Sequence, residues 1–125
     1  MKKVILDTNF FILISNKNID IFKEIRELIM GEYILIVTSK IVNELQTLSK
    51  NNKDAKFGFN ILKTKIKTGE ISILENTQHP DDFIPIFSKV NEVVLCTNDS
   101  NLRKKAKKSG AKVISLKANK RLDFA

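Results

Sequence analysis

Short apolar runs alternate along this chain with longer stretches of helical spacing. The runs are Val4-Ile5-Leu6, Tyr33-Ile34-Leu35-Ile36-Val37, Ile71-Ser72-Ile73-Leu74, Val93-Val94-Leu95-Cys96 and Val113-Ile114-Ser115-Leu116. Most are continuous rather than alternating, which is how strands read when helices cover both faces of a parallel sheet. Between them Ile19, Phe22, Ile25, Leu28 and Ile29 form one helical stripe, Ile41, Val42, Leu45 and Leu48 a second, and Ala55, Phe59, Leu62 and Ile66 a third. Phe83, Ile84, Phe87 and Val90 predict a shorter helix. Leu102 and Ala106 predict a last one, closed by Gly110 just beyond its cap. Because Pro85 lacks an N–H and suits a first turn, Asp81 or Asp82 is the expected cap of the shorter helix. The order is strand, helices, strand, helices, strand, helix, strand, helix, strand. With no Gly- or Pro-rich linker and no repeat, this predicts a single α/β domain over residues 1–125, with right-handed crossovers and a largely parallel sheet.

A length of 125 residues, 42% of them hydrophobic, is enough for one domain with its own core and too little for two. No apolar stretch approaches the roughly 20 residues that a membrane span needs, and Met1-Lys2-Lys3 precedes only three apolar residues before Asp7. A cytoplasmic protein with no membrane partner is the expectation. Cys96, the single cysteine, sits inside an apolar run and reads as a core residue rather than a thiol nucleophile.

Charge adds a direction. Residues 101–125 carry nine Lys or Arg against one acid, Asp123, whereas residues 1–100 hold thirteen of each sign, so the net +8 lies wholly in the last fifth of the chain. A concentrated basic face suits a polyanion, since each phosphate contact releases condensed counterions. Lys104, Lys105, Lys107 and Lys108 are the expected RNA-binding side chains; a merely solvated helix face is the other reading.

Ligands of open α/β sheets bind beyond the carboxyl ends of the strands, where strand order reverses. Asp7-Thr8-Asn9 follows the first run, Thr38-Ser39 after the second leads into a helix bearing Glu44, and Thr97-Asn98-Asp99 follows the fourth. Asp81 and Asp82 precede the helix that feeds the fourth strand. Taken singly, Asp7 and Asp99 read also as helix caps and Glu44 as a solvated helix residue. Four carboxylates converging on one edge would repel one another unless a cation lay among them, and hard oxygen donors favour Mg²⁺ or Mn²⁺. Such a cluster can hydrolyse a phosphodiester without a histidine base, so His79, the only histidine, reads as a surface loop residue.

The segments Val4-Ile5-Leu6-Asp7-Thr8-Asn9, Val37-Thr38-Ser39-Lys40-Ile41-Val42-Asn43-Glu44-Leu45, Pro80-Asp81-Asp82-Phe83-Ile84 and Cys96-Thr97-Asn98-Asp99-Ser100-Asn101-Leu102 together resemble the PIN domains over nearly the whole chain. That resemblance implies a three-layer α/β/α fold with a five-stranded parallel sheet in the order 3-2-1-4-5, and a metal-dependent endoribonuclease. It implies catalytic, metal-binding acids at Asp7, Glu44, Asp81 and Asp99, with Asn9, Thr97 and Asp82 as supports. Asp81 is preferred to Asp82 because the family's aspartate usually stands three residues before an apolar position, here Ile84; Pro80 and Pro85 depart from the family's pattern. The run from Ser109 to Leu116 and the basic residues after it resemble archaeal-type PIN proteins related to ribosomal RNA processing nucleases more than toxin members. The resemblance further implies a homodimer and, as partner, an antitoxin or a ribosome-assembly factor. The alternative is a PIN-like RNA-binding module of weak or no activity. A phosphoacceptor receiver would want an aspartate after the third strand, where Glu75-Asn76-Thr77 stands, and an aspartate-nucleophile phosphatase would want one at Asn9.

Overall fold

A computed structural model describes residues 1–125. The chain runs β1 (Lys2–Leu6), α1 (Thr8–Asn16), α2 (Ile21–Leu28), β2 (Tyr33–Thr38), α3 (Ser39–Ser49), α4 (Lys53–Lys67), β3 (Ile71–Leu74), α5 (Pro80–Phe87), β4 (Val93–Cys96), α6 (Ser100–Lys108), β5 (Lys112–Leu116) and β6 (Leu122–Phe124). The sheet order is β3-β2-β1-β4-β5-β6. Its first five strands are parallel, and helices cover both of its faces. That is the expected 3-2-1-4-5 arrangement, with one strand added.

The continuous apolar runs are buried as parallel strands must be. Val4, Ile5, Leu6, Val93, Val94, Leu95 and Cys96 are each no more than 3% exposed, and all belong to one cluster of 29 buried apolar residues. Burial pushes the Cys96 thiol far above its ordinary range, so it stays neutral and unreactive.

Three expectations are corrected. The added strand β6 pairs antiparallel with β5, through Ile114 with Phe124 and Leu116 with Leu122. It turns back through Lys117–Arg121, where Lys120 takes the left-handed conformation at φ 62° and Asn119 accepts a hydrogen bond from the Arg121 N–H. Neither Asp81 nor Asp82 caps α5: His79 does, its Nδ1 accepting from the Asp81 N–H at 3.2 Å, with Pro80 as the first helical residue. The same ring nitrogen lies 3.7 Å from the Asp81 carboxylate. Pro85 thus lies in the second turn, where its ring removes the bond that an N–H would make one turn back. Val90 lies beyond that helix and is 82% exposed.

Helices α1 and α4 cross closely, and Gly58 permits it. A Cβ built on Gly58 would run into the backbone carbonyl of Phe11. The crossing seats Phe10 and Phe11, both fully buried, and sets the direction of α1, which begins at Thr8. Gly58→Ala would ordinarily favour a helix by about 0.5–1 kcal/mol. Here the clash is with backbone and should reverse the sign, costing about 1–3 kcal/mol in urea or thermal unfolding. A neutral or stabilising substitution would show that the two helices are not in contact at this point.

Candidate active site

All five parallel strands end at one edge of the sheet, and strand order reverses between β1 and β4, because the chain builds β2 and β3 on one side of β1 and β4 and β5 on the other. Asp7 directly follows β1, and its N–H extends the ladder to the Cys96 carbonyl at 3.0 Å; Thr97 does the same to Ile114 at 3.0 Å. The cleft where such folds take ligands is therefore walled by Asp7 and the Thr97–Asp99 turn.

Asp7 is only 9% exposed. Its Oδ1 accepts from the Thr8 N–H at 2.9 Å and its Oδ2 from the Thr97 hydroxyl at 2.7 Å, so each oxygen has one donor. Burial raises its pKa above the ordinary 3.8; these two hydrogen bonds oppose the rise, and the charges of Glu44 and Asp99 add to it. The Thr97 hydroxyl also accepts from the Asp99 N–H at 3.1 Å, tying the two aspartates through one side chain. Asp99 caps α6 with Oδ1 alone, accepting from Asn101 and Leu102 at 2.9 and 3.1 Å. Its Oδ2 has no protein donor and remains available.

Glu44 comes from the middle of α3, whose start is set by the Thr38 hydroxyl accepting from the Ile41 N–H. Its Oε2 accepts from the Thr8 hydroxyl at 3.0 Å, and its Oε1 lies 3.4 Å from the Lys40 ammonium. The cap and the ligand readings of Asp7 and Asp99 prove compatible: capping occupies one oxygen of Asp99 and leaves the other free.

The remaining expected site residues share no hydrogen bond with Asp7, Glu44 or Asp99. Asp81 sits on α5, where its Oδ2 accepts from Lys105 of α6 at 3.0 Å. Asp82 is exposed, and Asn9 is exposed on α1 without a hydrogen bond to any of these acids. Lys104, Lys105, Lys107 and Lys108 are all exposed on α6. Two participants were missed in the sequence: Thr8, with nothing but its place after Asp7 to mark it, and Lys40, whose four-residue spacing from Glu44 was legible.

The donor set suits a hard divalent cation in kind: carboxylate oxygens, with uncompensated negative charge concentrated on a buried aspartate. No three acidic, histidine or cysteine side chains stand at ligating separation in this arrangement. A groove of about 770 Å³ lined by Ile14, Phe22, Tyr33, Phe57 and Ile61 touches none of these acids and contributes nothing to their chemistry.

Comparison with known proteins agrees with this fold. Ribonuclease VapC4 of Methanocaldococcus jannaschii is 27% identical over 124 residues, spanning 96% of this chain and 94% of that protein. The structure of the PIN domain endonuclease Utp24 shares the fold with a TM-score of 0.78 at 23% identity, covering 98% of this chain and 90% of that one. The structure of VapBC-1 from nontypeable Haemophilus influenzae shares it more loosely, with a TM-score of 0.52 at 12% identity over 85% of this chain and 93% of that one. The family described as PIN like domain matches residues 4–119, a span that takes in the whole carboxylate edge, and this chain belongs to that family.

Proposed function

We propose that this chain is a Mg²⁺- or Mn²⁺-dependent endoribonuclease whose reaction centre is Asp7 with Glu44 and Asp99, joined by Asp81. The observation that carries the reading is Asp7 itself, a buried carboxylate whose pKa is raised by burial and by two neighbouring acids, at the point where strand order reverses. An RNA substrate is supported by the ribonuclease named above, which matches over nearly the full length of both chains. The basic face of α6 supports it independently. Whether the RNA is ribosomal or a toxin's target, and whether an antitoxin, an assembly factor or a second copy is the partner, follows from identifying the RNA cut and the proteins bound to it.

The bound cation would supply charge to the phosphoryl oxygens and to the attacking water at neutral pH. The protein does the positioning. Thr97 and the Thr8 amide hold both oxygens of Asp7 in one orientation, each with a lone pair left over. The Thr8 hydroxyl fixes Glu44 on the β2 side, and Asp99 presents Oδ2 from the β4 side. The α6 lysines hold neighbouring phosphates.

Asp7→Asn separates charge from shape. Asp7 has a folded pKa above 3.8, so its ionisation destabilises the fold as pH rises through that region. The metal-free Asn variant should therefore melt at or above the parent's temperature at neutral pH, and the gain should disappear below about pH 3.8. RNA cleavage with Mn²⁺ should fall by about 100-fold or more, beyond the cost of losing a supporting partner. A folded variant that cuts at the parent's rate would falsify the nuclease reading.

Metal should also stabilise the parent. A cation binding only the native state adds about 2.7 kcal/mol at a hundredfold excess over its Kd, so the melting temperature should climb with millimolar Mn²⁺ and return with EDTA. Indifference to both Mn²⁺ and Mg²⁺ would remove the metal from the reading and favour an RNA-binding module. For the basic face, replacing Lys104, Lys107 and Lys108 with Ala should weaken single-stranded RNA binding in EDTA and flatten its log–log salt slope by about 0.7 for each phosphate the protein no longer neutralises. An unchanged slope would mean that these charges meet only solvent.

A further inference from the structure

Asp81 differs from the other three acids in its partner. Asp7 and Asp99 are held by hydroxyl and amide donors. Glu44 has a lysine beside it but is also held by Thr8, and its charge already acts on Asp7. Asp81 is the one whose side chain is held by an ammonium alone among side-chain donors, Lys105 at 3.0 Å across the α5–α6 contact, with no hydroxyl donor beside it. The acid and the lysine are 27% and 57% exposed, so the pair is solvent-screened and easily exchanged.

Lys105 also faces a depression of about 770 Å³, lined by Arg103, Lys104, Lys107, Lys108 and Lys117 and by no acidic side chain. Phosphates of a single strand entering there compete with Asp81 for Lys105. Charge then balances only if both exchanges occur: Lys105 takes a phosphate, and the released Asp81 carboxylate takes up part of a divalent cation's charge. Either step alone leaves a charge uncompensated.

We propose that Lys105 is a stand-in cation that holds Asp81 off the reaction centre until an RNA strand draws it away, so that RNA and metal promote each other's binding. This rests on the nuclease reading above. Because coupling free energy is reciprocal, RNA should tighten metal by the same factor as metal tightens RNA.

The experiment is a Mn²⁺ titration by calorimetry, with and without a cleavage-resistant single-stranded oligouridylate bearing 2′-O-methyl phosphorothioate linkages. It compares the parent, Lys105→Gln and Lys89→Gln; the last removes the same charge from an exposed lysine outside the basic depression that pairs with no acid. The parent and Lys89→Gln should bind Mn²⁺ about two- to fivefold more tightly when the oligonucleotide is present, the range an exposed ion pair spans. Lys105→Gln should bind Mn²⁺ that much more tightly without it and gain nothing further on adding it. Equal behaviour of the two variants, or no coupling in the parent, overturns the proposal. If the parent still cleaves RNA with Mn²⁺, only the latch has failed; if it neither binds Mn²⁺ nor cleaves, the nuclease reading has failed with it.

Discussion

The arrangement depends on one carboxylate placed where a carboxylate is costly. Asp7 follows the strand at the centre of the sheet, and the close packing that makes the fold stable also strips water from its side chain. Two donors, the Thr97 hydroxyl and the Thr8 amide, offset part of that desolvation, while Glu44 and Asp99 work against it. A structural cap would be cheaper as a neutral asparagine, which caps a helix about as well. A charge kept at this position is what the proposed divalent cation would need from its donors.

Thr8 and Thr97 do more than satisfy Asp7. Each residue that orients it also orients a neighbour: the Thr8 hydroxyl donates to Glu44 on α3, and the Thr97 hydroxyl accepts from the Asp99 amide. The two acids on either side of the switch point are thus positioned by the same residues that position the central one. The α1–α4 crossing at Gly58 enters this network from below, since α1 carries Thr8 at its first residue and packs through Phe10 and Phe11.

Much of this was legible in the sequence, and the physical reasons are specific. Strands buried on both faces read as unbroken apolar runs, so β3 and β4 were predicted with their observed bounds and the others to within two residues. Asp7 and Asp99 were legible because the residue after a parallel strand must lie at the carboxyl edge. β6 was not: Leu122-Asp123-Phe124 is short, and its turn places a lysine rather than glycine in the left-handed conformation, so no turn signal announced a hairpin. The cap of α5 was misjudged because the local rule for proline was applied to Pro85, when Pro80 already fills the first helical position. The pairing of Asp81 with Lys105 joins residues 24 positions apart on different helices, a distance over which residue spacing carries no information.

That pairing alters how the four acids are weighed. On a chain read as a string they are equivalent; in the fold they divide by what holds them. Neutral donors leave a carboxylate's charge intact and raise its value to a cation, whereas an ammonium cancels it. Asp7 and Asp99 therefore form a standing negative centre, Glu44 is divided between Thr8 and Lys40, and Asp81 is neutralised by α6. In the proposed nuclease, Lys105 cannot grip phosphate and pair with Asp81 at once. A polyanion that took the lysine would change the pairing, and this would link the charge concentrated in the last fifth of the chain to the proposed chemistry at Asp7.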